Sequence, residues 1–413
     1  MAPLALYLAF IGASCAYAQM NWRRAWLLVL VCAVVQDPVR KLTPGSPVWI
    51  SFVVVALYAA ILFAARRTLL AHLREFGRRF PAIETVFTIF LFTLLAAASN
   101  GLVTFGVANW KVPLVSFVTY LVPLTAILLG YAWLQREETM YRFFGIYAAL
   151  TSIALIGSML EYLRFDSPVL GMVSFEGDYI RHLPGIQVRL LAGIYRGPDV
   201  MAWHAGMLTV IAVAMAMRNG FGQRMLLWGG VAGWGFLNCM LAGRRKAIYF
   251  VVVFGVVLLW RYIRQISFAQ IVTALALLAV LGGVIRHLGS KEETDVYTRS
   301  AGTSHAEIAQ RLEGGVMQTF RQFGLMGAGL GAATQGVHHL IEGGNLGWQE
   351  GGLGKIAVEL GLPGMVARMV LGWVVLRLLL RLTSIGDVQG SSHFLRVVLF
   401  ALAAANVAGF IAS

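Results

Sequence analysis

Charged residues are scarce in this chain, and acidic residues are the scarcest of them. Of 413 residues only 13% are charged, with 19 Asp and Glu against 33 Lys and Arg, whereas 59% are hydrophobic. One soluble core of this length cannot bury so much apolar surface, so lipid must be the solvent for much of the chain. The composition excludes a soluble globular protein and indicates a polytopic integral membrane protein.

Cysteine is also rare. The three cysteines, Cys15, Cys32 and Cys239, all fall inside apolar runs of the sequence. A cysteine in such a run is ordinarily a small hydrophobic side chain. Their number and placement disfavour a disulfide framework, redox chemistry and a zinc site.

Apolar runs that are long enough to cross, or nearly cross, a bilayer predict about twelve helices. They lie at 3–19, 25–37, 47–65, 82–105, 112–134, 143–163, 198–217, 225–242, 247–263, 268–286, 353–382 and 393–412. The second run is short and is bounded by Pro38 and Pro44, so the first two runs are alternatively a re-entrant hairpin. The predicted fold class is all-α: a single transmembrane domain, 1–413, with about 12 transmembrane helices and a helical periplasmic loop region.

The orientation of these helices follows from the arginines beside their ends, because short cationic loops stay cytoplasmic. The strongest cluster is Arg66, Arg67, Arg74, Arg78 and Arg79. Strict alternation of helices then places two long polar segments, 164–197 and 287–352, on the opposite, periplasmic face. Topology and anionic lipid headgroups account for the formal charge of +14, and no soluble basic domain is present to bind nucleic acid.

Three consecutive cations, Arg244, Arg245 and Lys246, fall on the outer face in this topology. The positive-inside rule disfavours them there, so an anion is expected to compensate their charge. An anion site near the outer leaflet is one interpretation. The others are a topology that is wrong by one helix, or neutralisation by acidic residues of the later loop.

Arginines also precede a predicted helix start in the first long segment. Arg189 and Arg196 lead to Pro198 and Asp199, and a proline followed by an acidic residue is typical of a helix N-terminus. Such a terminus presents free backbone N–H groups to anions. Together with Arg244, these arginines either form a phosphate or pyrophosphate clamp or make structural ion pairs.

The second long segment contains a further cation, Arg311, on a predicted helix, followed by the glycine-rich stretch GLMGAGLGAATQG (324–336). The glycines either let backbone N–H groups approach a phosphate or serve tight turns. Two histidines, His338 and His339, and several glutamates follow before the helix of 353–382 begins.

The order of these motifs resembles that of the O-antigen ligase and Wzy polymerase superfamily of lipid-linked glycan glycosyltransferases. The motifs are an arginine before a Gly-aromatic-x-x-Pro stretch (Arg189 to Pro198), LAGRRKA at a helix junction (241–247), the GAGLG stretch, and GLGKIAVELGLPG (352–364). The resemblance covers residues 185–385. It implies a membrane-embedded transferase of the GT-C type whose active site lies at the outer face, whose donor is a glycan on undecaprenyl pyrophosphate, and which needs no metal ion or other cofactor.

One residue departs from the ligase pattern. The ligases place a His-Asn pair about nine residues before the glutamate of the terminal helix, and Glu350-Gly351 stand at that position here. A carboxylate can act as a general base when its environment positions it, so Glu350 is the expected base, with His338 or His339 as alternatives. Glu359 and Lys355 lie four residues apart and are expected to form an ion pair.

The sequence therefore predicts a metal-independent, inverting polymerase of undecaprenyl-pyrophosphate-linked oligosaccharide repeat units in the bacterial inner membrane, with its active site facing the periplasm. Its partners would be the lipid-linked donor, a glycan or lipid-linked acceptor, membrane lipid and a chain-length regulator. The predicted substrate-binding residues are Arg189, Arg196, Arg244, Arg245, Lys246 and Arg311. The alternatives are an O-antigen ligase that transfers glycan to lipid A-core, and a polysaccharide-lipid flippase or transporter.

Overall fold

The structure is a computed structural model that describes residues 2–134, 136–173, 180–183, 186–219, 222–262, 283, 316–334, 352–384 and 391–411. Twelve α-helices in these residues are labelled α1 to α12. They are α1 (Ala2–Met20), α2 (Trp22–Lys41), α3 (Val53–Arg79), α4 (Pro81–Phe105), α5 (Lys111–Trp133), α6 (Glu137–Ala154), α7 (Ile156–Tyr162), α8 (Pro198–Asn219), α9 (Gln223–Leu241), α10 (Arg245–Tyr262), α11 (Gly352–Leu382) and α12 (Ser391–Ile411). Residues 316–323 are also helical.

One short hairpin interrupts the helical architecture. Strands β1 (Ile180–Leu183) and β2 (Ile186–Arg189) pair antiparallel, with Ile180 opposite Arg189. The hairpin lies in the first long segment, which the sequence analysis treats as a polar loop between helices. The described part of the chain is otherwise helices and turns, as an all-α membrane protein requires.

Seven helical stretches of the described residues are long and apolar enough to cross a membrane. They are Ala2–Met20, Val48–Arg79, Pro81–Phe105, Lys111–Trp133, Glu137–Tyr162, Pro198–Asn219 and Ser392–Phe410. The predicted run 268–286 lies almost wholly outside the described residues, and each of the other predicted runs coincides with one helix or, for 143–163, with two. The structure therefore has the apolar helices of a membrane protein, and seven of the predicted spans meet this criterion.

Local sequence explains where several helices begin. The side chain of Asn21 caps α2 by accepting a hydrogen bond from the backbone N–H of Arg24 at 3.2 Å. Pro81 is the first residue of α4, and Pro198 is the first residue of α8, with Asp199 in its first turn. Proline is well suited to this position because the first N–H of a helix has no intrahelical partner.

The described residues fall into two compact units. Unit 1 comprises those within 1–65, 136–303 and 388–405, and unit 2 comprises those within 66–135, 304–387 and 406–413. In unit 1, α8 is buried along most of its length and packs against α6, α9 and α10. Its core includes Tyr195, Met201, Leu208 and Phe254, each almost wholly buried.

Unit 2 is built around the contact of α4 with α11, and a turn-rich segment, 324–334, packs on these helices. Helix α11 is kinked at Gly361, whose φ is +64°. The backbone N–H of Ala328 donates to the Val358 carbonyl at 2.7 Å, and that of Leu330 donates to the Ala97 carbonyl at 3.0 Å. The segment is thus fixed to both helices through its main chain.

Gly329 has a φ of +90°, and a Cβ at this position would overlap the backbone of Asn100 and Gly101 in α4. We predict that Gly329→Ala lowers the free energy of unfolding by about 2 kcal/mol or more, because neither backbone can yield freely. Gly145→Ala is the matched control, since a Cβ in that part of α6 meets nothing within 4 Å. Unfolding in a mild detergent measures both, and equal stability of the two variants would contradict the packing described for Gly329.

Candidate anion-binding site

Four of the predicted substrate-binding residues lie at one end of unit 1. Arg189 ends β2, Arg196 precedes α8, Arg244 lies between α9 and α10, and Lys246 is in the first turn of α10. With Arg40 and Lys41 at the end of α2, these six residues are called the cation cluster. Three carboxylates, Asp37, Glu161 and Asp199, contact its members.

Asp199 joins the start of α8 to the junction of α9 and α10. Its Oδ2 lies 3.0 Å from Nη2 of Arg244, and its Oδ1 lies 2.7 Å from Nζ of Lys246. The side chains of Arg244 and Lys246 are 23% and 37% exposed, so both are partly buried at this junction. Asp199 therefore supplies part of the compensating negative charge expected beside these cations.

Glu161 fixes the segment between β2 and α8. Its Oε2 accepts hydrogen bonds from the backbone N–H groups of Ala192 at 3.0 Å and Gly193 at 2.5 Å. Nη2 of Arg189 donates to the backbone carbonyl of Glu161 at 3.3 Å. This hydrogen bond holds Arg189 beside Glu161, near the end of α7.

Lys41 and Asp37 connect α2 to the same segment. Nζ of Lys41 donates to the carbonyls of Gly193 at 2.9 Å and Val169 at 3.1 Å. Asp37 is 1% exposed, and its Oδ2 accepts from the backbone N–H of Arg196 at 3.0 Å. The backbone before α8 is therefore fixed, while the side chain of Arg196 itself is exposed.

An aromatic layer lies next to the cluster on α8 and α6. The ring of Tyr195 stacks on that of His204, with centroids 4.9 Å apart and an interplanar angle of 14°. The hydroxyl of Tyr147 is 2.8 Å from Nδ1 of His204. His204 is thus an interior residue with a hydrogen-bonding partner, and the layer gives the cluster a rigid apolar support.

The cluster has the chemistry of an anion site. As defined, it has six cations and three carboxylates, so a net positive charge remains when the internal pairs are formed. The cations lie beside the N-terminus of α8, where free backbone N–H groups and the helix dipole also favour negative charge. Among the described residues, no group of three or more His, Cys, Asp and Glu side chains is placed to hold a metal ion.

The remaining predicted site residues lie outside this description. Glu350, His338, His339 and Arg311 are outside the described residues, as is the side chain of Arg245 within α10. Their positions relative to the cation cluster therefore stay predictions.

A second polar group is buried in unit 2. Glu359 is 0% exposed, and its carboxylate accepts hydrogen bonds from Tyr120 Oη at 2.8 Å, Ser116 Oγ at 3.2 Å and Thr334 Oγ1 at 2.5 Å. No ion pair joins Lys355 to Glu359 in the described part of the chain, so the ion pair expected from their spacing is wrong. Three hydroxyls from α5 and the 324–334 segment stabilise the carboxylate instead.

The glycine-rich segment serves packing. The N–H groups of Gly327, Ala328, Leu330 and Ala332 all donate to carbonyls of the protein. These four N–H groups are not available to cradle a phosphate, and the described part of the stretch, 324–334, makes tight turns and close backbone contacts.

Sequence patterns missed the residues that organise the cluster. Lys41, Asp37 and Glu161 lie in or beside helices far from the arginines in sequence, and the Lys41–Gly193 contact spans 152 residues. The one sequence signal for this organising role is that these charges stand near the ends of apolar runs. A charged side chain there must either pair with another group or reach the membrane–water interface.

Lys41 gives the site a pH dependence. Burial lowers the pKa of Lys41 from 10.5 to about 8, and the carboxylates of Asp37 and Glu161 oppose that shift. Lys41 lies beyond the end of the predicted membrane-crossing run 25–37. Between about pH 8 and pH 10.5 the unfolded chain retains a proton that the folded chain has released, so the stability that Lys41 contributes rises with pH in this window and is lowest below it.

We therefore predict that the difference in unfolding midpoint between the wild type and Lys41→Met shifts in favour of the wild type as the pH rises from 8 to 10. Unfolding of both proteins in the same detergent at each pH measures it. A difference that does not change with pH would contradict the burial described for this ammonium group.

Known proteins add no constraint on the site. No family model matches the chain, and no curated protein matches it. The functional interpretation therefore depends on the order of the sequence motifs and on the geometry of the cation cluster.

Proposed function

We propose that this chain is a membrane glycosyltransferase that polymerises oligosaccharide repeat units carried on undecaprenyl pyrophosphate. In this proposal the protein has about twelve spans, lies in the bacterial inner membrane and carries its active site on the periplasmic face. It uses neither a metal ion nor another cofactor. An O-antigen ligase would use the same kind of donor and differ in the acceptor.

The observation that carries the proposal is the convergence of Arg189, Arg196, Arg244 and Lys246. They come from separate stretches of sequence, the same stretches that resemble the lipid-linked glycan transferases. Arg244 and Lys246 pair with Asp199 in the first turn of α8, and Arg196 lies just before that helix. Arg189 hydrogen-bonds to Glu161, which holds the backbone before α8. A net positive cluster at a helix N-terminus suits a pyrophosphate, which offers several anionic oxygens to forked guanidinium groups.

The proposed reaction is a direct displacement. A hydroxyl oxygen of the acceptor sugar attacks the anomeric carbon of the donor, and the bond between that carbon and the pyrophosphate oxygen breaks. The hydroxyl proton passes to the carboxylate of Glu350. The bonding electrons leave with undecaprenyl pyrophosphate, and the anomeric configuration is inverted.

The cation cluster would act on the leaving group. Negative charge on the pyrophosphate increases as the glycosidic bond breaks, and fixed cations stabilise that charge without rearrangement. Asp199 keeps Arg244 and Lys246 in place before the substrate arrives, and the donor oxygens would approach them from solvent. This preorganisation is the physical reason for a carboxylate within an anion site.

The first functional prediction concerns Arg244. We expect Arg244→Lys to lower polymer formation by about 10-fold or more, because a single ammonium group cannot hold Asp199 and a phosphate oxygen in the geometry of a guanidinium fork. Turnover of a lipid-pyrophosphate-linked oligosaccharide by the purified protein in detergent measures it.

Arg224→Lys is the matched control for Arg244. Arg224 is exposed at the start of α9, the helix that Arg244 follows, so it carries the same charge at the other end of that helix. Full activity of both variants would exclude a specific role of Arg244. Unfolding midpoints of the two variants separate lost catalysis from lost stability.

The second functional prediction concerns Glu350. Glu350→Gln preserves size and hydrogen bonding but cannot accept the proton, so turnover should fall by roughly 100- to 10,000-fold, the usual contribution of a general base. His338→Ala and His339→Ala should be tolerated. Wild-type turnover by Glu350→Gln, with loss in either histidine variant, would assign the base to the histidine pair.

A further inference from the structure

Three buried polar side chains lie at the end of unit 1 opposite the cation cluster. Tyr141 near the start of α6, Tyr262 at the end of α10 and His393 near the start of α12 are 6%, 7% and 6% exposed. The rings of Tyr262 and His393 are 6.3 Å apart, and Tyr141 and Tyr262 belong to one core and interact electrostatically. The ends of three helices thus bring these side chains together.

Each of these side chains carries a buried polar atom without a hydrogen-bonding partner. The atoms are the hydroxyl oxygens of Tyr141 and Tyr262 and Nδ1 of His393. A buried polar group with no partner is costly, and native structures contain few of them. Three such atoms in one place call for a polar partner that the described residues themselves do not provide.

Among the described residues that act electrostatically on these side chains, cations outnumber carboxylates. The guanidinium of Arg218 lies 3.5 Å from the centre of the Tyr141 ring, and Arg261 and Arg396 both act electrostatically on His393. Glu137 is the acidic group that acts on Tyr141. Hydroxyl and imidazole donors beside three guanidinium groups fit an anion with several oxygens, such as a phosphate.

The depth of the group suits a lipid headgroup. Asp199 in the first turn of α8 contacts the cation cluster, and Arg218 in its last turn contacts Tyr141. The α-helical rise places these two residues about 28 Å apart along the axis, close to the ~30 Å thickness of the hydrocarbon core. Such a separation would place the two polar groups at the two headgroup layers of a bilayer.

We propose that Tyr141, Tyr262 and His393, with Arg218, Arg261 and Arg396, form a binding site for one phosphate group in the membrane leaflet opposite the cation cluster. The phosphodiester of an anionic phospholipid and free inorganic phosphate share this chemistry. The hydroxyls and Nδ1–H donate to the phosphate oxygens, and the guanidinium groups balance its charge. This site is independent of the proposed transferase activity.

The test uses the purified full chain in a neutral detergent, with bound lipid counted by native mass spectrometry and the unfolding midpoint as a second readout. The probes are phosphatidylglycerol, phosphatidylcholine and inorganic phosphate, each added alone. The variants are Tyr262→Phe and Tyr141→Phe, which remove only an unpartnered hydroxyl and should fold. Tyr249→Phe is the matched control, because its hydroxyl is also buried without a partner but lies near the start of α10.

We expect phosphatidylglycerol to raise the midpoint, and one of the lipids bound per chain to bind about 10-fold or more weakly to Tyr262→Phe and Tyr141→Phe, as loss of a hydrogen bond to a charged group implies. Tyr249→Phe should bind like the wild type. A stabilisation by inorganic phosphate that both Phe variants lose would support the site with soluble phosphate as the ligand. Equal binding of phosphatidylcholine, or unchanged binding to both Phe variants, would overturn the proposal.

Discussion

The pairing of Asp199 with Arg244 and Lys246 is the interaction on which the cationic end of unit 1 depends. It connects the N-terminus of α8 to the junction of α9 and α10 at distances of 3.0 and 2.7 Å. Without a carboxylate at this place, adjacent cations beside a helix N-terminus would repel one another and the helix dipole. With it, the cations are held at fixed positions and remain partly exposed. The same principle recurs at Asp37 and Glu161, whose carboxylates bind the backbone N–H groups of the segment before α8.

The carboxylates of the two units differ in how fully the surrounding residues compensate their charge. In unit 1 the carboxylates are outnumbered by cations, so the cluster keeps a net charge that a ligand can neutralise. In unit 2 the hydroxyls of Ser116, Tyr120 and Thr334 all donate to Glu359, which leaves the buried carboxylate well satisfied and fixes α5 and the 324–334 segment to α11. A fully satisfied buried network favours a single arrangement of helices, whereas an excess of cations leaves charge that an anionic ligand can neutralise. This contrast is why the cation cluster, and not Glu359, supports the proposed chemistry.

Short-range sequence patterns correctly predicted the features that depend on neighbouring residues. Apolar runs identified the helices, and Pro198 with Asp199 marked the start of α8, because helix propensity and end effects act within a few residues. Contacts across long sequence separations could not be predicted in this way. The i, i+4 spacing of Lys355 and Glu359 suggested an ion pair, but the actual donors Ser116 and Tyr120 are 243 and 239 residues away. Lys41 likewise reaches Gly193 across 152 residues. The hairpin of β1 and β2 is short and lies within a polar segment, so its weak periodicity did not distinguish it from a loop.

The most direct test of the central claim is equilibrium binding of undecaprenyl pyrophosphate to the wild-type protein in detergent, compared with undecaprenyl alcohol. The two lipids share the same tail, so the difference in their dissociation constants isolates the contribution of the pyrophosphate. The proposed function predicts that the pyrophosphate lipid binds at least about 100-fold more tightly, because several charge-assisted hydrogen bonds form with the cation cluster. Equal affinity of the two lipids would show that only the tail is recognised and would contradict a pyrophosphate site at the start of α8.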